Sequence, residues 1–184
     1  MYPNLFLILI TIVFIGCARD DRPEQTIDAG SNVYEIVLSE LSKLESSDAF
    51  FKGDVIWVDP KWSKGDSSGL SWGSDFKVEK SLRDALYAAN ISDFESVLPP
   101  IDLPFVELRP IESFIDLHYY GEGKGPTNAK CLVQFWRAGF TEKGSKAIVR
   151  FQFGPSYHGA AGTFILRLVG KRWTLESSTI SYYV

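Results

Sequence analysis

Gly65-Asp66-Ser67-Ser68-Gly69 carries the spacing G-x-S-x-G, in which a serine acts as a nucleophile when a sharp turn between a buried strand and a helix holds its hydroxyl out. The flanks do not supply that setting. Trp62-Ser63-Lys64 is no apolar strand, and Gly69-Leu70-Ser71-Trp72-Gly73 is too rich in glycine and serine for a helix. Ser67 therefore reads as part of a polar loop. The chain has two histidines, His118 and His158, whereas zinc-type sites take three or four His, Cys or carboxylate ligands. Asp116 could join His118 only on a strand, where residues two apart share a face. Gly121-Glu122-Gly123-Lys124-Gly125 lacks the GK[ST] ending of a phosphate loop, and Asp54, Asp59 and Asp66 do not reproduce the spacing of a calcium loop. The sequence thus assigns no catalytic residue, no metal ligand and no cofactor.

Two groups of side chains remain as a candidate binding surface. Trp57, Trp62 and Trp72, with Phe76, cluster in and around a glycine-bearing polar segment, and exposed rings of this kind stack on sugars or anchor a protein partner. Tyr157 and His158 stand at the tip of Gly154-Pro155-Ser156-Tyr157-His158-Gly159. Cys131 opens an alternating apolar run and reads as core packing.

The elements that must position these groups follow from periodicity. Asn32 and Glu35 have the spacing of a capping box, and Val33, Ile36, Val37, Leu41 and Leu44 follow at helical intervals, so a helix is expected over 32–45. Asp54 to Asp59 is a short strand stopped by Pro60. A second helix begins near Val78, buries Val78, Leu82, Ala85, Leu86 and Ala89, and has Asn90 as its C-cap. Prolines 99, 100, 104 and 110 bracket a strand at Phe105–Leu108, and 111–120 forms a further short element. The last third holds four strand candidates, 131–137, 147–153, 163–169 and 173–183, rich in β-branched and aromatic residues. In the second of these, Ala147, Val149, Phe151 and Phe153 alternate with Ile148, Arg150 and Gln152, which predicts one buried face. Gly170-Lys171-Arg172 closes a tight hairpin. The fold class expected is α+β, with N-terminal helices packed on one face of a four-stranded antiparallel meander. A cystatin-like or NTF2-like cone is its nearest analogue.

The start of the chain is of another kind. Leu5 to Gly16 is an unbroken apolar run of about a dozen residues, too short for the roughly twenty that a spanning helix needs but of the right length for the centre of a secretory signal. Phe14-Ile15-Gly16-Cys17 resembles the lipobox of bacterial lipoproteins. That resemblance implies cleavage before Cys17, acylation of Cys17, and a lipid-anchored protein on the cell membrane or outer membrane, facing the periplasm or the exterior. Ala18 after the cysteine resembles the pattern that directs such proteins to the outer membrane of Gram-negative bacteria. Residues 17–31 are polar and cannot offset their own ordering entropy, so they read as a flexible tether. The organisation expected is a signal over 1–16, the lipidated cysteine and tether over 17–31, and one domain over 32–184.

A formal net charge of −4 and a pI near 5.2 argue against a nucleic-acid partner, because such proteins concentrate cations to displace counterions. With Cys17 acylated, Cys131 is the remaining thiol and no internal disulfide forms.

From Ser81 onward, the pieces Ser81–Asn90, Leu98-Pro99-Pro100, Leu103–Leu108, Gly139-Phe140, Lys146–Val149, Gly159–Gly162 and Trp173 resemble a set of uncharacterised bacterial secreted proteins and lipoproteins. The resemblance spans about 78–184 and implies a fold, not an activity. Three readings of function follow: a non-catalytic envelope domain that binds a protein or peptide, including an immunity-type inhibitor of a toxin; a cell-wall or glycan-binding module built on the tryptophans; and a hydrolase. The first is favoured.

Overall fold

The computed structural model describes residues 33–44, 53–63, 76–91, 97–110, 128–154 and 160–182. Two helices and seven strands lie within them: α1 (Val33–Lys43), β1 (Val55–Val58), α2 (Lys80–Asn90), β2 (Val106–Leu108), β3 (Ala129–Phe135), β4 (Gly139–Phe140), β5 (Lys146–Gly154), β6 (Ala160–Val169) and β7 (Arg172–Tyr182). The strands form one mostly antiparallel sheet in the order β2-β1-β3-β5-β6-β7, with β4 also paired to β5. The fold class is α+β, as the sequence predicts. All four strands of the meander are present, and β3, β5, β6 and β7 are antiparallel neighbours in chain order.

Tight connection explains the longest ladder. β6 and β7 are joined through Gly170-Lys171, and Val169 pairs with Arg172. Gly170 has φ 64°, the left-handed value that a II′ turn requires at its first central position and that glycine adopts without a Cβ clash.

Two features lie outside the expected meander. β1 pairs in parallel with β3, and β2 in parallel with β1. The second feature is a break along the edge of β5. Phe135 stands opposite Phe151 and Gly139 opposite Ile148, so the chain takes four steps where its partner takes three. One extra residue enters at Trp136-Arg137-Ala138, which is a β-bulge separating β3 from β4.

The helices do not share a face. α1 buries Val33, Tyr34, Val37, Leu38 and Leu41 in the main core, together with Ile56, Val58, Val133, Phe135, Val149, Phe151 and Phe164. α2 buries Leu82 and Leu86 against Ile148 and Ile165. Ile148 and Val149 are consecutive on β5, and consecutive strand residues point to opposite faces. The expectation of both helices on one side is thereby corrected. So is the expectation that β5 has one buried face, since Ile148 and Arg150 are as fully buried as Val149 and Phe151. A central strand with a helix on either side has no solvent face to offer.

Local details differ for similar reasons. Asn32 lies outside the described residues, and Glu35 accepts a hydrogen bond from the Asp102 N–H at 2.9 Å, tying the helix to the proline-rich segment. Val78 precedes α2 and packs beside its cluster. Asn90 is the last helical residue, with Ile91 as the C-cap. The element expected over 111–120 lies outside the described residues.

Candidate functional site

The bulge brings both helices to one point. Asn90, at the end of α2, accepts from the Arg137 N–H at 3.0 Å, and its Nδ2 donates to the carbonyls of Arg137 at 2.9 Å and Leu86 at 2.8 Å. From the other face of the sheet, the Tyr34 hydroxyl of α1 accepts the Ala138 N–H at 2.8 Å. A bulge leaves backbone groups without ladder partners, and buried backbone groups need partners; here two side chains supply them. Around Tyr34 lies an aromatic cluster, with the Phe135 ring at 5.0 Å and the Trp62 ring at 5.4 Å. The Arg137 guanidinium sits 5.9 Å from the Trp62 ring centroid.

Burial pushes the Tyr34 phenol well above its ordinary value, with the Ala138 hydrogen bond and Arg137 pulling it partly back. Burial likewise pushes the Cys131 thiol up to about 12. Both groups hold their protons more tightly in the folded chain than in the unfolded one. Their contribution is complete below the unfolded values and is lost as pH rises toward the folded ones, so stability declines in the alkaline range beginning near 9.0, the ordinary thiol value. Tyr34→Phe leaves the Ala138 N–H without its acceptor, and about 1–3 kcal/mol of stability should go with it. Urea denaturation at neutral pH measures that loss. The same variant should lose less stability than wild type when pH is raised past 10.0, the ordinary tyrosine value.

A second polar group runs across the α2 side of the sheet. Asp59, fully buried just after β1, accepts from the Lys61 N–H at 2.9 Å and from Gln134 Nε2 at 3.2 Å. Gln134 Oε1 accepts from Gln152 Nε2 at 2.6 Å. The relay has one direction: Gln134 turns its amide nitrogen to Asp59 and offers its oxygen to Gln152. Arg150, two residues from Gln152, is fully buried and in register with buried Thr163. Trp136 donates its backbone N–H to the Arg150 carbonyl at 3.0 Å, while its buried indole N–H makes no hydrogen bond to any described residue. Acceptor, amides and cation in this group can hold strands in register or bind a polar ligand.

Of the residues singled out in the sequence as a binding surface, the two described ones, Trp57 and Trp62, lie on opposite faces of the sheet. Trp57 is 6% exposed and closes a small cluster with Ala129, Leu132 and Val55, and the Arg109 guanidinium lies 5.1 Å from its ring centroid. Trp62 is half-buried against the main core, on the face opposite Trp57. Phe76 is half-buried beside α2. Cys131 is fully buried in the main core. Cys17, Ser67, Trp72, Asp116, His118, Tyr157 and His158 lie outside the described residues. Tyr34, Asn90, Gln134, Gln152 and Arg150 are not among the candidate site residues of the sequence. Asn90 alone had a visible signal, as a helix-terminal asparagine, and even that pointed to a cap rather than to another strand.

No protein-family profile, curated protein or solved structure matches the chain.

Proposed function

We propose that the chain is a lipid-anchored envelope protein whose α+β domain binds a protein or peptide partner without catalysing a reaction, an immunity-type inhibitor being one form of that role. The observation that carries this reading is the border at Gly16-Cys17, where an apolar run too short to span a bilayer meets a polar tether. Acyl chains on Cys17 hold the protein on the membrane, each buried methylene adding about 0.8 kcal/mol. Among the described residues no helix is long and apolar enough to cross a membrane.

What supports partner binding is β7. It spans Arg172–Tyr182 and ends the strand order of the described sheet. A strand in that place can receive an extended peptide as a further strand, with backbone hydrogen bonds giving affinity and alternate side chains giving specificity. The cystatin-like or NTF2-like cone, a curved sheet wrapped around a helix, is the finer fold we favour; its support is α1 lying on side chains from β1, β3, β5 and β6. The glycan-binding reading has less to stand on, because Trp57 is buried and the Trp62 ring is already in contact with Tyr34 and Arg137.

Intact mass and membrane partition of wild type against Cys17→Ala test the anchor. An acylated chain beginning at Cys17, with both the lipid and the membrane association lost in the variant, is expected. A full-length unlipidated wild type in the soluble fraction would overturn it.

A further inference from the structure

The β6–β7 hairpin runs past the end of its neighbour. β5 begins at Lys146, opposite Arg167, and the Leu168 N–H still donates to the Ser145 carbonyl at 2.9 Å, so Val169 and the turn beyond it overhang the sheet. On the α1 side, Leu168 pairs with Trp173 and Leu166 with Leu175, and the half-buried Trp173 ring meets the Phe140 ring at 5.8 Å. Leu166 is core, but Leu168 is 37% exposed, Leu175 37%, and Val169 on the other side 55%. Apolar side chains grouped at one end of a domain mark a contact surface.

Charge says of what kind. Lys143, Arg167, Lys171 and Arg172 are all exposed at this end, although the whole chain carries −4. Of the nearby carboxylates, Glu79 and Glu176 are held by Lys146 at 2.7 and 3.0 Å, and Glu176 also lies 3.8 Å from Arg167. Glu142 stands exposed in the adjoining turn. An aromatic-aliphatic tip ringed by lysine and arginine is the combination that seats at a lipid headgroup boundary, with the apolar groups entering the interface and the cations facing acidic headgroups.

We infer that the end of the β6–β7 hairpin, with Leu168, Val169 and Leu175 flanked by Lys171 and Arg172, is the face this domain lays on an anionic phospholipid bilayer. The inference rests on the anchor reading for its setting. Two basic residues and a few apolar ones bind a membrane weakly by themselves, but a lipid anchor on Cys17 turns the encounter into an intramolecular one. Docking would also fix which parts of β7 remain open to a partner.

The test places an environment-sensitive fluorophore on the hairpin through Val169→Cys; Cys131 is buried and Cys17 carries the lipid. The full-length protein, extracted from membranes, is reconstituted into phosphatidylcholine vesicles with or without phosphatidylglycerol, beside a control labelled through Tyr87→Cys on α2, where the side chain is exposed. Emission from position 169 should rise about threefold or more on the acidic vesicles, fall back in high salt, and return to the phosphatidylcholine level in Lys171→Glu/Arg172→Glu. A label as aqueous as the α2 control, on protein that floats with acidic vesicles, would overturn the inference and leave the tip to a protein partner. Protein that fails to float would count against the anchor instead; the same labelled chain mixed with excess acidic vesicles would then decide the hairpin separately.

Discussion

Gly139→Val should leave the chain without a stable fold. A Cβ at Gly139 would lie 2.3 Å from the Leu86 nitrogen and 2.6 Å from the Ala85 carbonyl carbon. Both are backbone atoms of α2, so no side-chain rotation relieves the clash and the helix as a whole must lift from β4. Lifting it exposes Leu82, Leu86, Ile148 and Ile165, which are at most 5% exposed. Each such side chain contributes about 1.5–3 kcal/mol when fully buried, and four of them together rival the roughly 5–15 kcal/mol that holds an ordinary domain. The Asn90 bonds to Arg137 would be strained by the same movement. Soluble yield and thermal melts followed by circular dichroism would show it, with Gly139→Ala falling between wild type and valine. A valine variant that melts like wild type would mean that the close approach of α2 to β4 is wrong.

The second large effect is at Phe151. Its ring lies 5.8 Å from Phe135, 5.7 Å from Phe153 and 5.4 Å from Phe164, in the middle of the main core, and truncation of such a ring to alanine costs about 3–5 kcal/mol. The neighbouring strand is shaped to admit it. Gly162, its cross-strand partner, has no side chain, and a Cβ there would come within 2.2 Å of the Phe151 ring. Gly162→Ala should therefore destabilise the wild-type chain yet be tolerated in a Phe151→Ala background, where the methyl group enters vacated space. Residues in contact show this kind of non-additivity. A urea-denaturation cycle over the four chains measures it, and additive losses would refute the contact.

The meander was legible because its signals are local. Alternation from Ala147 to Phe153 located β5, and a glycine followed by two cations before Trp173 located the β6–β7 turn. The pairing of β1 with β3 has no such signal, since Asp59 and Gln134 are 75 residues apart and neither segment encodes the other's position. Arg150 misled for a physical reason: an arginine in an alternating strand ordinarily marks the wet face, but here that face is covered and the guanidinium is buried with it. Trp57 differs in a related way: the strand around it is where the sequence puts it, but its ring is buried instead of offered to a ligand. The bulge could not be read at all, because it exists only as a mismatch between two strands and is held by Tyr34 and Asn90 from far along the chain. The anchor proposed at Cys17 rests on the opposite circumstance. A signal centre and its border depend on a contiguous run of residue types, not on a fold.

The parallel docking of β1 also bears on the order of assembly. β5, β6 and β7 are joined in sequence and can zip together from the Gly170 turn, whereas β1 must close a loop of nearly half the domain before its first contact with β3 is rewarded. The meander should therefore form a cooperative unit by itself early in folding, and β1 with β2 should join late. In native-state hydrogen exchange the amides of β5 and β6 should open only with global unfolding, while those of Ile56 and Arg109, bonded across the late-forming edge to Phe105 and Val58, should open at lower free energy. A chain built this way has one edge that can let go while the rest of the sheet stays intact.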